Sequence, residues 1–511
     1  MMGSKLKRIG WIGFILVITF AWIAAPVWAG KKDDVLNIAW EKELETLNLY
    51  YQTAREGVIL GRHIFDRLIH RDPESGEYKG CLAKSFKWID SVTMEFELRE
   101  GITFHNGEKF DADDVVFTLN HMSNPENKVK VYQYVGWIKN AEKLGPYKVK
   151  INLKDPTPAA FEFLAGPVMI YPDEYYQKVG MKEFGVAPIG TGPYKVVKVT
   201  PGKEIVMKKN ENYFKESPKG QPVIGTIRQR TIPEANTKMA ELMTGGLDWI
   251  WHIPKDQAEK LAQMPNIDVV AAETMRVGFL YFLLDSPQVK TPFTDIRVRK
   301  AVAHAIDREA IVKNLVGGDS KVVHTTCYPK QFGCTEEGVT KYDYNPEKAK
   351  KLLAEAGYPN GLDVDLHAYR DRPYAEAVVN YLRDSGIRAK LQYMQYSALR
   401  EIGRARKVPM AFWTWGSNSV YDISAFVGNW YKGTGDDVIR DPQVMEWLNK
   451  GDTSIDPAVR KENYKKALQK ITEQAYTVPL FTWVANYAFS KELDFKAWPD
   501  EIPRFYMSKW K

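Results

Sequence analysis

The stretch Val364-Asp365-Leu366-His367-Ala368-Tyr369, together with the residues from Arg370 to Tyr393, decides the fold class. It reads as a strand. Tyr374, Ala377, Val378, Tyr381 and Leu382 then fall at i, i+3, i+4, i+7 and i+8, one apolar stripe of a helix. Gly386 stops that helix. Ile387, Ala389, Leu391 and Tyr393 alternate with polar neighbours, the pattern of a second, half-buried strand. Strand, helix and strand joined by short links make a βαβ unit, whose two strands are parallel. Met410 to Trp415 reads as a further strand. The fold class is therefore α/β. In open sheets of this kind ligands bind beyond the carboxyl ends of the strands. That end is Trp413-Thr414-Trp415-Gly416-Ser417-Asn418, two tryptophans among small polar residues.

On both sides of this unit the same helix-rich character covers residues 286–475. Val298, Val302, Ala305 and Ile306 mark one helix, and Asp307 caps the next, which ends at Gly317-Gly318. Asn345 is an N-cap with Pro346 at the first helical position, and Gly357 closes that helix. Upstream, Leu36 to Trp40 is a strand, and Val58 to His70 reads as a helix. Met94, Phe96 and Leu98 alternate with charged residues, as do Tyr147, Val149, Ile151 and Leu153, so each is a half-buried strand. Between them Asp111 caps a helix, with Asp114 three residues on as in a capping box, and Val115, Leu119 and Met122 form its stripe. Tyr194 to Val199 and Lys203 to Lys208 form a hairpin around Pro201-Gly202. Ile227 to Ile232 is a strand, and Glu234 to Met243 a helix that stops at Gly245-Gly246.

The first thirty residues read as an address. Lys5, Lys7 and Arg8 precede an almost unbroken apolar run from Trp11 to Ala25, and Val27 and Ala29 stand at the −3 and −1 positions of a cleavage site. This is the pattern of a secretory signal peptide, residues 1–29. The alternative is a retained membrane anchor. No cysteine adjoins the cut, so a lipid-anchored form is not expected. The mature chain is expected in the periplasm as a soluble protein.

The chain has 511 residues, enough for two to four domains, with 44% hydrophobic and 26% charged residues and a net charge of +7. These are values of a soluble globular protein. The positive excess is small and unclustered, with no block of five like charges, so a nucleic-acid partner is not expected. The aromatic fraction of 13% hints at a recognition cleft. Three cysteines exclude a disulfide scaffold. Cys327 and Cys334, in a Gly/Pro-containing loop, are either a disulfide or two thiols. Cys81 is expected to be a small buried thiol.

The catalytic inventory is thin. There is no nucleophile elbow, phosphate-cradling loop, paired-His zinc helix or EF-hand loop. His63 and His70, seven apart, suit a structural role better than a metal site. Asp113-Asp114 fits a helix start and Glu336-Glu337 a solvated loop. No cofactor or metal is expected. A secreted glycosidase with two carboxylates distant in sequence stays open as an alternative.

Four segments, in order, carry a resemblance. Leu98-Arg99-Glu100-Gly101-Ile102-Thr103-Phe104-His105-Asn106-Gly107 leads into Asp111-Ala112-Asp113-Asp114-Val115-Val116-Phe117. Gly190-Thr191-Gly192-Pro193-Tyr194 is the second. Asp295-Ile296-Arg297-Val298-Arg299-Lys300-Ala301 comes with Ala305-Ile306-Asp307-Arg308. Tyr344-Asn345-Pro346-Glu347-Lys348-Ala349 comes with Leu352-Leu353 and Ala356-Gly357-Tyr358. From about residue 35 to 485 the sequence resembles the family 5 extracellular solute-binding proteins, the dipeptide-, oligopeptide- and nickel-binding group that serves ABC importers. Physically, these motifs are turns and helix caps; they identify the fold without touching a ligand.

The resemblance implies a two-lobed, type II-like periplasmic-binding-protein clamshell with an extra α+β subdomain on the first lobe. Lobe one is residues 31–70, 188–285 and 477–511, with 71–187 appended, and lobe two is 286–476. The chain crosses between lobes near Leu284-Asp285 and Tyr476-Thr477. The implied function is to capture a small solute, a peptide or peptide-like molecule, and to deliver it as a monomer to the permease subunits. Peptide-binding relatives grip the ligand main chain at a strand end, here Trp413, Trp415, Ser417 and Asn418, and place an aspartate beyond it, here Asp422 unless Asn418 takes its place. If Asn418 does, the anchor for a free amino terminus is missing, which weakens a peptide by ~1.5–3 kcal/mol and favours an opine, a sugar derivative or a metal chelate. Glu43 and Glu45 are expected to face this segment, with Tyr132, Tyr134, Arg370 and Arg372 as further candidates.

Overall fold

The structure, a computed structural model, describes residues 31–52 and 54–511. The signal-peptide reading of residues 1–29 lies outside them. Among the described residues no helix is long and apolar enough to cross a membrane.

One ten-stranded sheet runs through the molecule. Its strands lie in the order Ile387–Tyr393, Leu362–Ala368, Met410–Trp415, Ile267–Phe282, Thr477–Ser490, Trp249–Trp251, Val35–Trp40, Thr226–Thr231, Glu204–Lys209 and Tyr194–Thr200. The βαβ unit is present. Leu362–Ala368 and Ile387–Tyr393 are parallel with Val364 opposite Ala389, joined by the helix Arg372–Asp384. Gly386 takes φ +84°, which a residue with a Cβ rarely adopts, and so turns the chain into the second strand.

Two long antiparallel strands, Ile267–Phe282 and Thr477–Ser490, join the two ends of the sheet. The first alternates strictly over its last residues. Leu280 and Phe282 enter one core with Leu366, Val378 and Phe481, whereas Phe279 and Tyr281 enter another with Phe426, Trp430 and Tyr464. This is the period-two alternation of a strand covered on both faces. The far ends of both strands enter different cores, through Ala485, Tyr487 and Phe489 on one face and Ile267 and Ala488 on the other. Register slips between Glu273 and Val277, and again between Gly278 and Phe279. Thr274 fills the first slip, its hydroxyl donating to the Trp483 carbonyl at 2.9 Å.

A separate antiparallel sheet, Ala83–Asp90, Thr93–Leu98, Lys148–Leu153 and Ile138–Gly145, packs under the helix Ala112–Ser123. The expected capping box is formed. Asp111 accepts the Asp113 N–H at 2.7 Å, and Asp114 accepts the Asp111 N–H at 2.9 Å. Met94, Phe96, Val149 and Ile151 meet Val115, Leu119 and Met122 in a core continuous with that of Leu36, Ile38 and Trp40, which makes this unit an appendage of the first lobe.

The helix expected over Val58–His70 spans Arg55–Ile64 instead. Phe65 leaves the helical region there, and the Arg67 guanidinium donates to the Phe65 carbonyl at 2.9 Å, an acceptor that a further turn would have used, and at 3.1 Å to the Gly61 carbonyl, which the Phe65 N–H also reaches. His70 then lies in the short strand Ile69–Arg71, so it does not share a helix face with His63. Burial pushes His63 down to about 3 and His70 down to about 2; both are neutral packing residues. Cys327 and Cys334 form a disulfide, and Cys81 is a buried free thiol.

Candidate functional site

Parallel strands from both ends of the sheet direct their carboxyl ends toward one cleft. Val35–Trp40, Thr226–Thr231 and Trp249–Trp251 end on one side, Leu362–Ala368 and Met410–Trp415 on the other. His252, just past the first group, lies in the field of Arg370, just past the second.

The segment after Met410–Trp415 is strained. Ser417, Asn418 and Ser419 have φ of +49°, +52° and +63°. Left-handed backbone costs a non-glycine residue roughly 1–2 kcal/mol, and three in succession persist only where the surroundings impose them. The imposing contacts come from the first lobe and its appendage. Arg55 hydrogen-bonds the Ser419 hydroxyl, which donates to the Asp500 carbonyl at 2.7 Å. Glu162 accepts the Tyr421 N–H at 3.0 Å. Arg71 pairs with Glu162 at 3.2 Å and lies over the Tyr421 ring at 3.8 Å. Burial pushes the Glu162 carboxyl up, and Arg71 pulls it back. Ser417 is fully buried, and its hydroxyl has no protein partner.

The charged centre of the cleft lies deeper. Arg276, at the register slip of Ile267–Phe282, reaches Glu501 at 3.0 Å and the Thr414 hydroxyl at 3.3 Å. Arg55 is 3.5 Å from the same carboxylate oxygen, and Arg370 and His252 act on it electrostatically. Burial raises the Glu501 carboxyl, but Arg276, Arg55 and Arg370 outweigh it and hold it down to about 2. Glu501 itself has φ +56°. Two guanidiniums thus meet one carboxylate while a third, Arg370, acts on it from beside its own partner Asp371 at 3.5 Å, and the buried Arg276 Nε has no protein partner. Next to it, Arg504 pairs with Asp500 at 2.6 Å, and Arg62 and Arg504 line a small cavity with Arg71, Ser419 and Tyr421.

The residues singled out from the sequence are spread between cleft, core and surface. Trp415 is half-buried at the strand end and donates to the Ala425 carbonyl at 3.3 Å. Trp413 is 6% exposed and packs with Phe279 and Trp430, as core. Asn418 is half-buried within the left-handed turn. Asp422 is buried and paired with Arg460 at 2.7 Å, so its charge is already matched. Glu43 is exposed beside Gly202, and Glu45 is exposed and 3.3 Å from Lys130; the contacts across from Ser417–Asp422 belong to Arg55, Arg71, Glu162 and Asp500 instead. Tyr132 meets Lys154 at 3.2 Å. Tyr134 lies within the field of Arg55, and burial pushes it up to about 12. Arg370 stands over Trp483 at 5.9 Å in the cleft, whereas Arg372 is exposed and paired with Glu376 at 2.8 Å.

Sequence reasoning missed Arg55, Arg276 and Glu501. One signal was present. Arg276 is a lone charge in the apolar run Met275-Arg276-Val277-Gly278-Phe279-Leu280, and such a charge is either paired or functional. Glu501 sits in a loop with no pattern. Among the described residues no group of three or more His, Cys, Asp and Glu is arranged to hold a metal ion.

Comparison with known proteins bears on the family of the chain. The family model described as bacterial extracellular solute-binding proteins, family 5 Middle, matches residues 77–437. The glutathione-binding protein GsiB of Escherichia coli is 29% identical over 510 aligned residues, covering 96% of each chain. The chain is similar in structure to a dipeptide-binding protein from Pseudoalteromonas in complex with Met-Leu, with TM-score 0.80 and 23% identity over 93% of this chain and all of that one. It is also similar to NikA from Brucella suis in complex with Fe(III)-EDTA, with TM-score 0.83 and 25% identity over the same shares.

Proposed function

The chain belongs to the bacterial extracellular solute-binding proteins of family 5, the binding components of peptide-type ABC importers, and we propose that its own cargo is a small peptide-like solute carrying at least one free carboxylate. The observation that carries this reading is the excess of guanidiniums, Arg55, Arg276 and Arg370, over the two carboxylates they reach, Glu501 and Asp371, with a buried Arg276 donor unpartnered. Uncompensated buried charge is costly. A ligand carboxylate supplies the missing charge and accepts the free donor in a charge-assisted hydrogen bond. Glutathione, Met-Leu and Fe(III)-EDTA, bound by the similar proteins, all bring carboxylates. Asp422 is occupied by Arg460, so recognition of a free ammonium group is the weaker half of the reading, and a non-peptide anion such as an opine or a metal chelate is the second candidate.

The lobes, residues 31–70, 188–285 and 477–511 with 71–187 appended against 286–476, except that Phe279–Phe282 and Val478–Trp483 pack in the cores of the second, close over the cargo and reopen at the permease, in the periplasm and as a monomer. The register slips of the two connecting strands are where the bending is placed. A ligand favours the closed form only by its greater affinity for it. Ser417–Asp422 and Arg370 contribute from one lobe, Arg55 and Glu501 from the other.

The test is to denature protein purified under native conditions and to identify the released small molecule by mass spectrometry. A carboxylated solute, rebound on titration and recovered chemically unchanged, is the expected result. A neutral sugar, or a hydrolysed product, would overturn the proposal.

A further inference from the structure

The six residues between Cys327 and Cys334 form a loop that runs alongside Val420–Ile423. Phe332 N–H donates to the Tyr421 carbonyl at 2.8 Å, and Ile423 N–H donates back to the Phe332 carbonyl at 3.0 Å. The Gln331 side chain donates to the Val420 carbonyl at 2.8 Å, and its oxygen accepts the Tyr328 N–H at 2.9 Å. Gln331 is 3% exposed, so these bonds are sheltered from water. The Phe332 ring lies 4.5 Å from the guanidinium of Arg460, the partner of Asp422. On its other side the same segment meets Glu162 and Arg71. Tyr421 is thus held between the disulfide loop and the first lobe, directly after the strained turn Ser417–Ser419.

We infer that the Cys327–Cys334 loop is a positioning element for the binding cleft: by fixing Val420–Ile423 it holds Tyr421 where the opposite lobe can grip it and keeps Ser417–Ser419 in their strained form. A short loop without regular structure must lose conformational freedom before it can offer hydrogen bonds in register. The cross-link removes part of that freedom in advance, so the bonds to Val420, Tyr421 and Ile423 form on an already ordered partner. The effect on ligand binding rests on the proposal that this segment borders the cargo; the effect on the segment itself does not.

The experiment is amide hydrogen exchange on the ligand-free chain, oxidised and after reduction with tris(2-carboxyethyl)phosphine. Reduction is expected to speed exchange at Phe332, Tyr421 and Ile423 by about tenfold, the equivalent of one hydrogen bond lost. Amides of the Leu362–Ala368 and Ile387–Tyr393 ladder should change by less than about twofold, because that ladder opens independently. Equal acceleration of both regions, or of neither, would overturn the inference. Gln331→Ala in the oxidised protein should reproduce the local signature. Combined with reduction it should add little, since both changes act through one contact; fully additive effects would separate the disulfide from the segment and sink the idea. For binding, S-methylglutathione serves as a probe that carries no thiol and leaves the disulfide intact. Its dissociation should quicken on reduction. Unchanged dissociation alongside faster local exchange would show that the loop does not serve the cleft. Failure of the probe to bind even the oxidised chain counts against a glutathione-like cargo and leaves the exchange result to decide the loop's role.

Discussion

Buried carboxylates are treated in two opposite ways in this molecule. Asp66, in the core of the first lobe, pairs with Lys219 at 2.5 Å and accepts from the hydroxyls of Tyr213 and Thr191, each at 3.1 Å. Lys219 donates further to the carbonyls of Arg62 at 2.9 Å and Phe65 at 3.1 Å. Every proton of that ammonium group has an acceptor. Glu501 is also buried, but Arg276 and Arg55 both reach it, Arg370 acts on it from beside Asp371, one Arg276 donor is left over, and its backbone is left-handed. A network that closes on itself holds a fold together. One left open by a charge and a donor is arranged for something that arrives later. Two buried groups of the same chemistry are distinguished by whether their surroundings are complete.

The largest expected effect breaks the closed network. Asp66→Asn leaves Lys219 buried without its counter-charge and should cost roughly 3–5 kcal/mol of stability, read by denaturant unfolding. A loss under about 1 kcal/mol would mean that the network is no more structural than the Glu501 cluster.

Acid separates the two next. The Glu501 carboxyl is held at about 2 against an ordinary value of 4.5. A depressed folded value contributes stability that is complete above 4.5 and lost as pH falls from there toward 2. By linkage, about 2 kcal/mol of it is lost between pH 5 and pH 3. Unfolding of the wild type and of Glu501→Gln at these two pH values should therefore differ by that amount, with the variant losing less. Identical pH dependence would remove the arginines' hold on Glu501 from the account.

Arg276→Gln tests the open network from the other side. Titrated with the solute released from the native protein, it should bind more weakly by ~1.5–3 kcal/mol, the worth of a hydrogen bond to a charged group. Its ligand-free stability should also fall, by up to the ~2 kcal/mol that the arginines' hold on Glu501 contributes, because Arg276 is the foremost of them. Normal binding together with a large loss of stability would assign Arg276 to the structural class. The smallest effect is expected at Trp415→Ala, a loss of about 1 kcal/mol in affinity with the fold intact. A collapse of the fold would put Trp415 with Trp413 in the core.

Much of the architecture was legible in the sequence because its signals are local. The capping box of Asp111 and Asp114, the N-cap Asn345 and the alternation of Met94, Phe96 and Leu98 each draw on residues within a few positions. The helix that stops at Ile64 was misread because Phe65 leaves the helical region without a glycine or proline to signal it, and the Phe65 carbonyl is taken by a side chain, that of Arg67. The strand end at Trp415 was legible as a place, and its electrostatics were not. Arg55, Arg276, Arg370 and Glu501 are scattered over most of the chain and converge only through tertiary structure, and Asp422 looked free until Arg460 was seen beside it. Left-handed backbone at two serines has no signature in composition, since nothing in serine itself favours it.

The two long strands that connect the lobes form an antiparallel ladder from Ile267 opposite Ser490 to Tyr281 opposite Thr477, interrupted between Glu273 and Val277 and slipped again between Gly278 and Phe279. In mechanical terms this is a flexure rather than a pivot. A pivot turns on surfaces that slide past one another; a flexure bends within a continuous piece and stores the work elastically. In the closure proposed above, the compliance would concentrate where the section is weakest, at the slip, with the rungs on either side staying paired. Such a joint returns along the path it took. Restoring the register, by deleting residues from the slip, would stiffen the whole jaw and disturb the cargo site with it, because Arg276 stands within the slip.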